Sequence, residues 1–188
     1  MAICIAHTAH LLSALTLFSL TSALFPSSTS SGFALTAALL HILSPAGLFL
    51  SAPYAESSCA LLSFLGCLLF TKSRTPSGAT TTGHDLLVLA AGVILGAATT
   101  LRSNAILNGL LLLEEALRTL YDLTNGLHLA NVRRLLAAGI GGLCVGVGFL
   151  LPQYIAYVEY CTPSDIQPRE WCERNIPSIY TFVQDHYW

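Results

Sequence analysis

The sequence predicts an all-α, multi-pass transmembrane helical bundle, and three observations carry that expectation. Hydrophobic residues fill 54% of the 188 positions and charged residues only 10%. The mean hydropathy of +0.66 lies above what a water-soluble domain can cover with polar surface. The apolar residues also gather into runs near the roughly 20 residues that a spanning helix needs. Links of Ser, Thr, Gly, Pro and charge separate the runs. About five or six passes or half-passes fit within residues 1–157, leaving residues 158–188 as a polar loop segment.

The first run, MAICIAHTAHLLSALTLFSLTSALF, has the apolar core of a secretory signal and the small residues Thr21, Ser22 and Ala23. It lacks the Lys or Arg that should precede such a core, so a membrane span is expected instead. Pro26 and the link SSTSSG close it. The second span runs from about Gly32 to Leu50, and the segment HILSPAGLFLSAPY holds Pro45 and Pro53, each of which removes a backbone donor and kinks or ends a helix. Irregular backbone survives at membrane depth only against protein or a wet cavity, which makes Ser44 to Glu56 a candidate cavity wall.

A third helix starts near Glu56 and runs through SSCALLSFLGCLLF to the link TKSRTPSGATTTGHD, which is polar enough for an exposed loop. The fourth, Leu86 to about Leu101, is rich in the small residues that let helices approach closely in lipid. After Arg102, Ser103 and Asn104 comes AILNGLLLL with Glu114, Glu115 and Arg118, a segment short for a full span and expected to be tilted or half-inserted. The last span, Leu135 to Tyr157, is glycine-rich and expected to end near Pro152, with Tyr154 and Tyr157 in an interfacial belt.

Orientation follows from basic residues, which are retained on the cytoplasmic side. Alternating passes put Lys72, Arg74, Arg118, Arg133 and Arg134 on one side and Arg102, Arg169 and Arg174 on the other. The larger group is assigned to the cytoplasm. Ser44–Glu56, Arg102–Asn104 and the tail from Glu159 to Trp188 then share the opposite, luminal face. With a net charge of -2 and scattered Lys and Arg, the chain has no basic field for a nucleic-acid partner.

Polar chemistry interrupts the oil at few places. Glu56 starts a helix, where exposed N–H groups stabilise a carboxylate; it is either a plain helix-starting acid or a functional one. Arg102 stands between apolar segments, either snorkelling to the interface or presenting its forked donor to an anion or carboxylate. His7, His10 and His41 lie in spans and His84 and His128 in loops, without the paired spacing of a zinc site, so no metal is expected. His7 and His10 share a helix face and suit a polar contact between helices. Cys4, Cys59, Cys67 and Cys144 sit in apolar runs as small hydrophobes. Cys161 and Cys172 form a disulfide if the tail faces an oxidising lumen, and remain free thiols otherwise.

Three blocks in order, SPAGLFLSAPYAES at 44–57, LRSNAILNG at 101–109, and YCTP with REWC and NIPSIYTFVQDHYW at 160–188, resemble the GPI mannosyltransferase 2 (PIG-V) family of fungal type. The resemblance implies a GT-C type glycosyltransferase of the endoplasmic-reticulum membrane with a luminal active site. Its donor would be dolichyl phosphate mannose, its acceptor the glycosylphosphatidylinositol (GPI) precursor, and its product the α-1,6-linked second mannose, formed with inversion. No cofactor is implied, and a small membrane partner subunit is conceivable.

Carried over position by position, Tyr54, Glu56, Arg102, Ser103, Asn104, Gln184, His186, Tyr187 and Trp188 become candidate substrate-binding residues. Arg102 would hold the donor phosphate or a structural carboxylate, and His186 with Gln184 the sugar hydroxyls. The family's upstream acidic luminal loop, with its aromatic-Asp motif and proline-rich companion, has no counterpart in this sequence, so the catalytic residue is unassigned, with Glu56 as the remaining candidate base. Ala105 stands where the family has glycine. The chain is therefore expected to be an internal fragment, inactive by itself and cut at Trp188. The alternative is a noncatalytic membrane scaffold or partner subunit.

Overall fold

The computed structural model describes residues 1–26, 30–44, 52, 54–74, 81–162, 169–174 and 177–187. Among these every regular element is helical: α1 (Ala2–Leu24), α2 (Ser30–Ile42), α3 (Glu56–Lys72), α4 (Thr82–Leu101), the 3₁₀ helix η1 (Ser103–Asn108), α5 (Gly109–Asn125), α6 (Leu129–Cys161), the 3₁₀ turn η2 (Glu170–Glu173) and α7 (Ile179–Tyr187). Three of them, α1, α4 and α6, are long and apolar enough to cross a membrane. The expected second span is shorter: α2 ends at Ile42, and Pro45 and Pro53 lie outside the described residues.

α3 has 17 residues and a rise of about 25 Å, less than a bilayer core of about 30 Å. Its ends nevertheless match those of α4. Glu56 at its start meets Arg102 at the end of α4 (2.6 Å), and Ser73 just past its end shares the guanidinium of Arg134 with His84 in the first turn of α4. The two helices therefore run antiparallel over the same thickness.

The fifth segment is a broken pass. η1 descends from the level of Glu56 to that of Ser63, whose Oγ accepts from Asn108 Nδ2 at 3.0 Å. α5 then continues to Glu115, level with Ser73 and Asp85. The irregular backbone of η1 is covered by α3, α4 and α6, the setting in which membrane-depth irregularity is tolerated.

α4 and α6 run parallel and pack backbone to backbone through glycine. A Cβ added at Gly92 would stand 2.2 Å from the Gly141 Cα, and one at Gly148 would stand 2.2 Å from the Gly96 carbonyl oxygen. Small residues are what permit such an approach where lipid gives no hydrophobic drive to association. Val88, Ala91 and Leu95 of α4, Leu112 of α5 and Ala138 and Val145 of α6 build the buried core around this seam.

At the end away from Arg102, four elements converge on one buried cation. Arg134, 2% exposed, donates from Nε to Glu115 Oε1 (2.7 Å) and from Nη2 to Ser73 Oγ (3.1 Å), with Asp85 Oδ1 3.8 Å away. Arg133 pairs with the other oxygen of Asp85, and Arg74 approaches Glu115. A guanidinium away from water is stable only with this degree of compensation.

The boundaries of α4 and α6 differ from expectation too, α6 beginning at Leu129 rather than Leu135. α4 begins at Thr82 rather than Leu86, because the Thr81 amide donates to His84 Nδ1 (3.3 Å) and Asp85 completes an acidic first turn. His84 is thus helical, not in a loop. α6 passes through Pro152 to Cys161, since a spanning helix tolerates proline where neighbouring groups satisfy the freed backbone. One residue beyond the proline, the Gln153 side-chain amide adds a bond to the Phe149 carbonyl (3.5 Å), and Gln153 Oε1 accepts from Ser178 Oγ (2.6 Å), tying the start of α7 to α6.

Candidate functional site

At the Arg102 end, the polar interruptions of the sequence come together. Arg102 caps α4 in extended geometry (φ -144, ψ 124), so the chain turns out of the helix and throws the side chain across to α3. There Nη1 meets Glu56 Oε1 in the first turn of α3, where the helix dipole favours the carboxylate. Both side chains keep partial solvent access, 42% and 30%, so the pair is a reachable polar centre rather than a sealed one.

Two cavities meet at Arg102, and Glu56 lines one of them. One, of about 750 Å³, lies between Arg102, Ser103 and Asn104 on one side and Tyr180, Val183 and Gln184 of α7 on the other. The second, of about 440 Å³, is lined by Glu56, Cys59, Ser63, Arg102, Asn104 and Asn108. Arg102 and Asn104 line both. Ala105 is buried against Cys59 and Ala98 with Leu62 alongside, so the methyl that distinguishes it from glycine fills the contact between η1 and α3. Tyr180 packs against Phe149 with the rings tilted and their centroids 5.4 Å apart, and burial pushes its phenol above the ordinary value. Its hydroxyl therefore stays a donor at neutral pH.

The candidate residues divide into groups. Glu56, Arg102, Ser103, Asn104 and Gln184 gather at these two cavities. Tyr54 precedes α3 and is mostly exposed. His186 turns to the other side of α7, away from Gln184, into a third cavity of about 470 Å³ with Tyr160, Arg169, Glu170, Trp171 and Phe182. The side chain of Tyr187, and Trp188, lie outside the described residues. Cys161 and Cys172 form a disulfide, which brings η2 back to the end of α6. His10 and His41 meet between α1 and α2 with rings 5.1 Å apart, and Ser13 Oγ lies 2.8 Å from His41 Nε2.

Sequence reasoning missed Tyr180, Trp171 and the Arg134 cluster. The doublets Glu114–Glu115 and Arg133–Arg134 were the available signal for the cluster, because charge in apolar surroundings needs a partner. For Trp171 the signal was an aromatic residue directly before a bridging cysteine.

The helices and their cavities define a multi-helical membrane protein with a polar site open at one end of the bundle. The chain belongs to the family described as Mannosyltransferase (PIG-V), which it matches over residues 1–188. It is 47% identical to GPI mannosyltransferase 2 of Chaetomium globosum over 99% of its own length and 42% of that protein's. It is 44% identical to GPI mannosyltransferase 2 of Gibberella zeae over 100% of its length and 43% of that protein's. To the human GPI alpha-1,6-mannosyltransferase 2 it is 30% identical, over 81% of this chain and 33% of the human one. The chain thus spans less than half the length of these relatives. No solved structure matches it.

Proposed function

We propose that this chain forms the substrate-facing part of an endoplasmic-reticulum mannosyltransferase that moves mannose from dolichyl phosphate mannose to the GPI precursor, as the second, α-1,6-linked mannose. The observation that carries this reading is the cavity pair around Arg102, where a guanidinium, the amides of Asn104, Asn108 and Gln184 and a phenol line openings at the end of apolar helices. A lipid-linked donor needs that layout: apolar helices beside its chain and hydrogen-bond donors where its phosphate emerges.

In the proposed reaction an acceptor hydroxyl attacks the sugar's anomeric carbon, the carbon–oxygen bond to phosphate breaks, and a general base takes the hydroxyl proton. Charge develops on the leaving phosphate, where preorganised donors act most strongly. Arg102 has five N–H groups, of which Nη1 is committed to Glu56. The rest of the fork, with the Ser103 and Asn104 side chains, is the proposed phosphate contact. Glu56 then serves as a positioning carboxylate holding the fork, and the base is a different group. Gln184 and Tyr180 face the same cavity as donors to sugar hydroxyls. The Arg102 end is luminal in this reading and the Arg134 end cytoplasmic.

The test is a chimera in which this chain replaces the matching segment of the Chaetomium globosum relative, expressed in cells lacking the second-mannose transferase. Restored surface GPI proteins are expected. Accumulation of the one-mannose glycolipid, with the chimera abundant in the endoplasmic reticulum, overturns the proposal.

A further inference from the structure

Among the described residues, the cavity on the far side of α7 shares with those at Arg102 only Ile179 and Val183 of the helix between them. Its walls combine flat rings with charge. The Phe182 and His186 rings lie tilted with centroids 4.1 Å apart, Tyr160 stands at the end of α6, and Trp171 is only 3% exposed although it sits in a four-residue turn of a polar loop. Arg169 and Glu170 supply a guanidinium and a carboxylate. His186 donates from Nδ1 to the Phe182 carbonyl (3.0 Å), which leaves Nε2 facing the cavity, 3.7 Å from Glu170 Oε2. The Arg174–Asp185 pair (2.8 Å) and the Cys161–Cys172 disulfide hold η2 against α7 and α6, so the walls are braced from two sides.

Rings beside forked and carboxylate hydrogen-bonding groups suit a pyranose, whose C–H face packs on an aromatic ring while its hydroxyls bond at the edge. A lipid chain would offer no hydrogen bond to Arg169, Glu170 or His186, and an inorganic anion would leave the rings unused. A volume of about 470 Å³ falls within the roughly 300–1,000 Å³ of small-molecule sites.

We propose that the cavity lined by Tyr160, Arg169, Glu170, Trp171, Phe182 and His186 is a saccharide site, which holds a non-reacting sugar of the acceptor while transfer occurs on the Arg102 side of α7. Its assignment to the acceptor rests on the mannosyltransferase reading; its saccharide chemistry does not.

Trp171 is one of two tryptophans in the chain, so in the Trp188→Phe protein its emission is read alone. Titrating the oxidised 188-residue protein in detergent with methyl α-mannopyranoside is expected to give a saturable change in that emission, with sorbitol giving none. Glu170→Gln, an exposed substitution that leaves the core untouched, is expected to weaken the response about tenfold through loss of a charged hydrogen-bond acceptor. Phe182→Ala is expected to abolish it. A response that does not saturate, or that is equal with sorbitol, overturns the proposal, as does unchanged affinity in both variants. The chimera's transfer assay separates the two readings. Saccharide binding without mannose transfer removes the mannosyltransferase reading and leaves the site. Transfer with an unaltered acceptor KM in Glu170→Gln, together with no binding, removes the site and leaves the enzyme.

Discussion

Arg102 and Glu56, 46 residues apart in sequence, lie 2.6 Å apart, joining the end of α4 to the start of α3, and Arg102 lines the two cavities found there. Because both side chains keep solvent access, the pair contributes at most about 1 kcal/mol to stability. Its main effect is to fix the direction of the guanidinium fork. Arg102→Ala and Glu56→Ala are therefore expected to lower mannose transfer by the chimera about 100-fold or more, while protein abundance stays near normal. Arg102→Lys keeps the charge and loses the fork, and is expected to fall between. The double alanine variant should lose little beyond either single one, because the two residues act as a unit. Microsomal transfer assays normalised to protein amount check this, and additive losses would separate the two roles.

The opposite end responds in a different way. Among the described residues, Glu115→Ala leaves buried Arg134 with Asp85, 3.8 Å away, as its one nearby carboxylate. Breaking a buried pair from one side costs about 3–5 kcal/mol, a large share of a marginal stability. Thermal unfolding in detergent should show a sharply lowered midpoint for Glu115→Ala and for Arg134→Ala. Replacing both together by apolar residues, Glu115→Leu with Arg134→Met, is expected to recover most of the loss. Lys72→Ala, outside the cluster, serves as the unaffected control.

The blocks that gather at Arg102 were legible because glutamate, arginine and amides are conspicuous in an apolar chain. Their pairing was not, since nothing local to SAPYAES or LRSN says that the two blocks sit at one level of the bundle. Pro152 misled in the other direction: the rule that proline ends a helix holds in water more strictly than between packed membrane helices. The residues TTTGHD read as a loop by composition, and capping by His84 turned their last part into the first turn of α4. Gln184 and His186 looked like one group because they are two apart. On a helix that spacing points them to opposite sides, and here it sends them to separate cavities.

The Cys161–Cys172 bridge spans a sequence separation of 11, for which the chain-entropy model gives on the order of 3 kcal/mol of constraint on the unfolded tail. Cys161→Ser with Cys172→Ser is expected to leave the α4–α6 seam folded and to loosen η2, exposing Trp171 to aqueous quenchers. With the tail in the lumen, a membrane-impermeant maleimide should reach these cysteines only after reduction and permeabilisation of sealed microsomes. Labelling from the cytosolic side of intact vesicles would reverse the orientation.

The glycines of α6 make the sharpest prediction about packing, because they fall on two faces. Gly141 and Gly148 meet the backbone of α4, whereas Gly139, Gly142 and Gly146 would meet nothing within 4 Å of an added Cβ. Gly148→Ala places a methyl against the Gly96 carbonyl, and Gly92→Ala places one against Gly141; neither neighbour is a flexible side chain that could turn aside. The two helices must move apart, at a cost of about 1–3 kcal/mol. Gly142→Ala has open space and gains helix propensity, worth up to about 1 kcal/mol. Detergent melting curves should therefore shift in opposite directions for Gly148→Ala and Gly142→Ala, although both add the same methyl to the same helix. Equal shifts would mean that α4 and α6 do not pack through this seam.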